Sequence, residues 1–465
     1  MAVSPISVFD TIVRTDLPQR PPVLFDTVCV LGGSVAGLLA ARVLADHARK
    51  VVIVERDTTN VDGRSRAGVA HDAQVHGLQP GGLAQVERWL PGFTQEARDL
   101  GGVLLRPDRT TMYVDGQEQL RVGDTEFLFC TRPFLESRIR SRVLALPNVE
   151  TLTAQATGLE FDDDGGVTGV RHTVDGVAGT LPAEFVVDAM GRSSKAPEWV
   201  ERAGFDKPPL QRMQTGVHYA TALFERTGRH AEEPFFTGAR FTLPPGPDGL
   251  AVALVKPVEG GQWLVGLTTH ADGRAPRTIE EFRALCRKLP YPFAEVTGGT
   301  VTRAVLNFHQ SDSRRRDFTG LSRYPSRLVS VGDSVASLNA TYAQGMTSAA
   351  FHASCLSEYL NGPVDLAAPA TGFFALQDVA VDAVWAVSAG SDAALRDAIE
   401  GAEVPEEVQK QRWGMMQLAQ ASLTDATIAE ATGAVFYGLA HPMSLGDPAL
   451  LERALAVNGQ GPAGS

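Results

Sequence analysis

At 465 residues the chain is too long for one simple core, and two or three domains sharing interfaces are expected. A hydrophobic content of 44% with 21% charged residues is that of an ordinary soluble globular protein. The formal net charge of -12, from 42 basic against 54 acidic residues, argues against nucleic acid or an anionic membrane surface as partner.

Residues 1–24, with Pro5, Pro18, Pro21 and Pro22, read as an arm ahead of the first strand. The stretch that organises the rest is Asp26–Asp57. An apolar run, Val28–Leu31, leads into Gly32-Gly33-Ser34-Val35-Ala36-Gly37; an apolar-periodic segment through Leu44 follows, then a second apolar run, Val51–Val54, closed by Glu55. Strand, glycine turn, helix and strand in that order make the βαβ unit that holds a dinucleotide. A glycine turn lets the backbone approach a pyrophosphate that a Cβ would hold off, and the helix behind it offers unpaired N–H groups and partial positive charge. Glu55 stands where it would accept hydrogen bonds from a ribose. Ser34 replaces the second glycine of G-x-G-x-x-G, so the fingerprint is imperfect and a plain parallel-sheet turn is the competing reading.

Arg56–Gln79 has no apolar period and reads as a loop containing Arg64, Arg66, His71 and His76. No carboxylate or cysteine accompanies these histidines at a recognised ligand spacing, so a loop over a bound phosphate is preferred to a metal site. Leu83–Leu90 and Phe93–Leu100 read as helices, and Tyr113–Val122 and Glu126–Cys130 as strands joined near Gly123-Asp124. Thr131-Arg132-Pro133 starts a helix with Leu135, Ile139, Val143 and Leu144 on its apolar side. Arg132, at its start, can reach a bound phosphate or sugar; Arg138, Arg140 and Arg142, within it, are read as solvated or paired. Thr151–Val187 is a run of short β segments turned at Asp162–Gly166 and Asp175-Gly176, ending in the buried strand Glu184–Asp188. Ala189–Ser194 then forms a second strand-to-glycine corner, a site or only a turn.

From about 205 to 310 the character changes: Tyr219–Phe224, Ala239–Leu243, Leu250–Pro257, Gln262–Thr269 and Val301–Phe308 read as antiparallel strands, with a helix Thr278–Leu289 capped by Thr278. Such a sheet suits a substrate domain roofing a pocket, a purely structural sheet being the other reading. Ser326–Val331 is a third buried strand, leading into Gly332-Asp333 and then Ala343-Gln344-Gly345-Met346, after which a helix runs to Leu360. Beyond Pro363 the chain reads as helices; Ser422–Tyr437 has Ser422 and Asp425 at capping-box spacing, and Trp385, Trp413, Met415 and Met416 read as core. The tail Gly459–Ser465 is expected to be disordered. Cys29, Cys130, Cys286 and Cys355 are scattered without C-x-x-C spacing, which suggests neither disulfides nor zinc. No uninterrupted apolar span of about 18 residues and no basic-then-apolar leader is seen, so no membrane span is expected and a cytoplasmic location is the default.

Four features fall in an informative order: Gly32–Gly37 with Glu55, Arg132-Pro133-x-Leu135-Glu136, Asp188–Ser194, and Gly332-Asp333 before Gln344-Gly345-Met346. Together they resemble the FAD-binding aromatic hydroxylase fold of the single-component (group A) flavoprotein monooxygenases. The similarity is closest to the actinobacterial branch that includes the polyether-pathway polyene epoxidases and is related to squalene epoxidase. It runs from about Phe25 to Leu360. The resemblance implies an α/β fold: a βαβ (Rossmann-like) FAD-binding domain from 25–204 and 311–362, an inserted antiparallel-sheet substrate domain at 205–310, and a helical C-terminal region at 363–465.

It also implies residue roles. Gly32, Gly33, Ser34, Ala36 and Gly37 would hold the FAD pyrophosphate, and Glu55, with Arg56 beside it, the adenosine ribose. Arg132 would contact the ribityl-pyrophosphate portion, and Asp188 with Gly191 would serve the pyrophosphate and NAD(P)H. Gly332 and Asp333 would meet the ribityl chain. The helix opened by Gly345 and Met346 would point at the flavin's pyrimidine edge, where a helix N-terminus stabilises the anion of reduced flavin. His76, His218, Tyr219, Phe241 and Phe308 are candidates for substrate contact, each equally accounted for as ordinary core.

The departures are Ala340 after Asn339, where the family has proline, and Ala343, where it has glycine before Gln344. The epoxidase branch's loop carries G-V-P-Q and H-x-H; here Gly68-Val69-Ala70-His71 and Gln74-Val75-His76 stand, and only His76 keeps its place. The implied activity is insertion of one oxygen atom of O₂ into a largely apolar secondary-metabolite intermediate, free or bound to a carrier protein, by epoxidation or hydroxylation. No separate nicotinamide domain is visible, so NAD(P)H would bind transiently, or a partner flavin reductase would supply reduced flavin. An oxidase, reductase or halogenase on the same fold is the rival, although the W-x-W-x-I-P signature of flavin halogenases is absent. The departures at Ser34, Ala340 and Ala343 also keep open a non-redox cyclase or binding scaffold.

Overall fold

The computed structural model describes residues 4–58, 63, 65–66, 68–69, 71–242, 246–270 and 273–459. Arg64, Ala70, Leu243 and residues 460–465 of the tail lie outside the described residues. The short apolar runs assemble into a five-stranded parallel sheet in the order Leu328–Ser330, Phe185–Asp188, Phe25–Leu31, Ala48–Glu55, Val149–Thr153. Helices cover such a sheet on both faces, which is why its strands read as continuous apolar runs and not as alternating ones. The helices Val35–Leu44 and Gly345–Asn361 pack against each other beside it, and their buried residues join the strands in one core.

The second large element is an eight-stranded sheet built on Leu210–Glu225, Phe236–Arg240, Leu250–Val258, Gln262–Thr269 and Val301–Arg316. Alternation sorts its residues. Ala220, Ala222, Phe224, Val255, Trp263 and Val265 pack with Phe282, Leu285 and Phe293 of the helices Ile279–Cys286 and Phe293–Gly298, as a core of their own. The opposite face turns Tyr219, Thr221, Lys256 and Gly266 toward the parallel-sheet domain. Thr278 caps its helix as expected, its side chain accepting from the Glu281 N–H at 3.3 Å.

Several expectations need correction. The strand pair at 113–130 is not a hairpin: Thr110–Val114 joins the edge of the large sheet beside Phe236–Arg240, whereas Phe127–Phe129 pairs with Val103–Leu105. The turn falls at Asp115 and Gly116, both at positive φ, as a tight Asp-Gly hairpin requires. The N-terminal arm holds a helix, Pro5–Arg14, which buries Phe9 and Ile12; Arg88 and Gln85 donate to the carbonyls of Ile12 and Val13 at its end. Ser422 ends one helix, and Asp425 alone caps the next, accepting from the Ile428 N–H at 3.0 Å. Trp413, Met415 and Met416 are 43%, 45% and 55% exposed, because Gln417, Leu418 and Ala421 form the buried side of their helix; only Trp385 packs against the main core.

No uninterrupted apolar span is expected, and the most apolar long helix has its apolar run broken by Gln377, Asp378 and Asp382. Thr371–Ala398 is long and apolar enough to cross a membrane by length and composition, with half of its most apolar window buried inside the fold. Phe373, Phe374, Ala380 and Val381 lie in the main core, and Asp378 and Asp382 each pair with Arg315 at 2.6 Å. All four cysteines are buried free thiols.

Candidate cofactor site

The glycine turn is dictated by close approach. Gly32 has φ +103°, and a Cβ there would lie 2.5 Å from the Ala189 carbonyl oxygen. A Cβ on Gly37 would overlap the Gly32 carbonyl oxygen. The first and second strand-to-glycine corners therefore touch through backbone. Ser34 occupies the N-cap of the Val35–Leu44 helix without capping it, because its hydroxyl donates instead to Glu136 Oε2 at 2.6 Å. The N–H groups of that helix's first turn, Ala36 among them, take no side-chain cap and are left for an outside acceptor.

Behind the turn lies a buried charged cluster. Glu55 accepts from the N–H groups of Gly33 at 2.8 Å and Asp57 at 3.1 Å, and pairs with Arg66 at 3.2 Å. Burial alone would raise the Glu55 pKa, but these backbone donors and Arg66 together hold it below the usual carboxylate range. Arg66 also reaches Glu136 at 2.7 Å, and Arg140 meets the same carboxylate at 2.7 Å. Arg56 is turned outward, its side chain 61% exposed and 4.0 Å from Asp57.

Arg132 reaches this cluster from the first turn of its own helix. Its guanidinium lies 3.3 Å from Ser34 Oγ, 2.9 Å from His71 Nε2 and 3.3 Å from His76 Nε2, so both imidazoles present an unprotonated nitrogen to it. Burial and the Arg132 charge lower the His71 pKa to about 4 and that of His76 well below the ordinary value, so both rings are neutral near pH 7.

The C-terminal motif arrives from the other side. Gly332 has φ +64°, and a Cβ there would lie 2.6 Å from the Ala36 Cβ. Asp333 is half-buried between Gly191 and Gly345, which would place a Cβ 3.9 Å and 4.0 Å from its side chain. Burial raises its pKa against the opposing charges of Arg132 and Arg192. Asp188 does not face the cleft: its carboxylate accepts from Met190 N–H at 3.1 Å, Ser194 Oγ at 2.6 Å and Ser330 Oγ at 3.3 Å, so it braces the second corner from inside. Gln344 leaves the Gly345–Asn361 helix uncapped, donating to the Phe436 carbonyl at 2.9 Å, and Met346 in that helix's first turn lines the cleft with Arg132 and His76.

Of the five substrate-contact candidates, His76, Tyr219 and Phe308 converge. Phe308 lies 5.4 Å from His71 and 6.2 Å from Tyr219, ring to ring, and His71 lies 5.2 Å from His76. His218 and Phe241 do not. His218 follows the opposite parity of its strand and stacks on His309 at 4.5 Å, and Phe241 packs against the helix-covered core. Loop 71–79 is pressed onto the sheet, with Val75 where a Gly266 Cβ would be and Gln74 accepting from Thr221 at 2.5 Å.

Sequence reasoning missed Asp392, which the helix Thr371–Glu400 brings to the Asn339–Ala343 loop. Asn339 Nδ2 donates to both Asp392 oxygens at 2.9 and 3.1 Å, Tyr342 donates at 3.1 Å, and Tyr219 donates to Asn339 Oδ1 at 2.7 Å. Burial pushes the Asp392 carboxyl up to about 6, against those hydrogen bonds. A carboxyl raised in the folded state contributes stability that is full below the unfolded value and lost as pH climbs through the folded one. Relative to Asp392→Asn, the wild type should therefore lose about 3 kcal/mol between about pH 4 and 7. Urea unfolding of both proteins at the two pH values measures this; a constant difference between them would show an ordinary carboxyl.

The same loop holds Ala343 at φ +55°, left-handed backbone where the resembled family places glycine, with its methyl against Gly77. Ala343→Gly should stabilise the fold by about 0.5–1 kcal/mol in the same assay, since strain of about 1–2 kcal/mol is relieved and offset by about 0.5–1 kcal/mol from the freer unfolded chain.

These corners, loops and helix starts define an α/β nucleotide-binding protein whose cleft is roofed by an antiparallel sheet. Residues 26–369 match the model of the FAD binding domain family, and the chain belongs to that family. It is 32% identical over 356 residues to Protein Rv3254 of Mycobacterium tuberculosis, covering 72% of this chain and 73% of the relative. Its fold resembles that of the flavin-dependent brominase Bmp2, with TM-score 0.63 and 14% identity over 94% of this chain and 99% of the other. It also resembles that of p-nitrophenol 4-monooxygenase PnpA from Pseudomonas putida DLL-E4, with TM-score 0.59 and 17% identity over 90% and 99%. The residues present fit FAD: two helix starts have no side-chain cap, and Arg132 Nε is buried without a hydrogen-bond partner.

Proposed function

We propose that this chain is an FAD-dependent monooxygenase that inserts one oxygen atom of O₂ into a largely apolar small molecule, by epoxidation or hydroxylation. The observation that carries the reading is the convergence of the glycine turn, Arg132 and Asp333 on one cleft beneath a sheet face that presents Tyr219 and Phe308. FAD, when bound, supplies electron transfer from NAD(P)H or a partner reductase and the activation of O₂.

The chain's own residues do the remaining work. The open first turn of the Val35–Leu44 helix holds the pyrophosphate, Glu55 the ribose, and Asp333 the ribityl hydroxyls. Loop 71–79, pressed against Gly266, keeps water from the reacting face. Tyr219 and Phe308 give the substrate an apolar wall. The epoxidase-like branch is favoured by His76, the loop histidine that keeps its place. Purified protein should be yellow with bound FAD, oxidise NAD(P)H faster when substrate is present, and place ¹⁸O from ¹⁸O₂ in product. Product without the label would leave an oxidase, and a colourless protein that takes up no FAD would refute the reading.

A further inference from the structure

We propose that Lys256, Arg132 and the start of the Gly345–Asn361 helix form a subsite for a flat, delocalised oxyanion. Lys256 lies on the sheet face above the cleft and is 4% exposed. Its ammonium donates to the carbonyls of His76 at 2.5 Å and Cys130 at 2.8 Å, which leaves one of its three N–H groups over. No carboxylate lies within ion-pair distance of it among the described residues; Glu259, near in sequence, is engaged with the N–H of Thr131 at 2.9 Å and with its hydroxyl.

Burying an ammonium with no ion-pair partner is unfavourable, and burial holds its pKa below the ordinary lysine value against the more distant charge of Glu259. Lys256 lines the same cleft as Arg132, Thr131, His76 and Met346, and no acidic side chain lines it. Arg132 adds a second cation there, its buried Nε without a hydrogen bond and 4.0 Å from Glu136, which does not line that cleft. The uncapped Gly345–Asn361 helix adds a partial positive charge, and neutral His71 and His76 offset none of it. Leu78, Leu128 and Leu135 form the remaining wall, which suits a flat group more than a hydrated ion. Two sources share this chemistry: the pyrimidine edge of reduced flavin, which rests on the function proposed above, and a carboxylate or phenolate of the substrate, which does not.

Two probes separate them. Sulfite adds to oxidised flavin when its sulfur lone pair forms a bond to N5 and the displaced electron pair becomes negative charge on the pyrimidine edge, with no other reactant. Benzoate, titrated by calorimetry into the protein without flavin, reads the subsite independently of FAD. K256M and K256Q should weaken at least one probe by about tenfold or more, the effect of one charge-assisted hydrogen bond, whereas K256R stays within about threefold of wild type. K256Q keeps a donor for one carbonyl, so its contrast with K256R isolates charge from the tying of loops even if K256M fails to fold. A Lys256-dependent loss with sulfite assigns the flavin edge, and one with benzoate assigns the substrate. Lys256-dependent benzoate binding by a protein that takes up no FAD supports the subsite while refuting the flavoenzyme reading. Wild type that binds neither probe, or K256Q that matches it in both, overturns the proposal.

Discussion

Glutamine in place of Glu136 should lower the stability of the fold by about 3–5 kcal/mol, read by urea denaturation at pH 7. Glu136 is 5% exposed and Arg140 2% exposed, and the Arg66 side chain is 8% exposed. One carboxylate answers both guanidiniums at 2.7 Å and accepts the Ser34 hydroxyl at 2.6 Å, with Arg132 at 4.0 Å. Glu55 and Asp57 already share Arg66, at 3.2 and 3.6 Å, and cannot take over Arg140 as well. The neutral isostere keeps the shape and leaves buried cations uncompensated, which is the costly way to break such a cluster. The exposed pair Lys50–Glu150, also at 2.7 Å, is the control: Glu150→Gln should cost less than about 0.5 kcal/mol. A loss at Glu136 no larger than at Glu150 would mean that water reaches the cluster and shares the charge.

That cluster marks where the sequence stopped being legible. The βαβ unit could be read because its physics is local: a glycine that must accept φ +103° and a strand buried on both faces announce themselves within thirty residues. Glu136 was visible in its motif, yet its partner Arg66 came from an aperiodic loop 70 positions earlier, and only the fold shows that they meet. His218 and Phe241 failed for a related reason, since which face of a strand points at the cleft is fixed by pairing and not by composition. Two signals were available and missed. Asp115-Gly116 is a stronger hairpin turn than Gly123-Asp124, and Lys256 is a charge inside the apolar strand Leu250–Val258. Asp392 carried no local signal, because it sits in a long apolar helix beyond the region that matches the family.

Alanine at Gly37 should weaken FAD binding by about a hundredfold or more and destabilise the fold by about 2–4 kcal/mol, measured by flavin fluorescence titration and urea unfolding. The added methyl would overlap the Gly32 carbonyl oxygen, and Gly32 cannot retreat, because the Ala189 carbonyl lies 2.5 Å from where its own Cβ would be. Relief must therefore come from the Val35–Leu44 helix sliding out of the turn. That movement carries its orphan N–H groups away from the pyrophosphate position, and those groups act only over hydrogen-bond distance. Gly92→Ala separates this mechanism from glycine loss in general. Gly92 also has positive φ, at +83°, but a Cβ there meets nothing within 4 Å, so it should cost about 1 kcal/mol of strain and leave FAD affinity unchanged. If Gly37→Ala kept FAD within threefold of wild type while Gly92→Ala behaved as expected, the helix start would not be the pyrophosphate cradle.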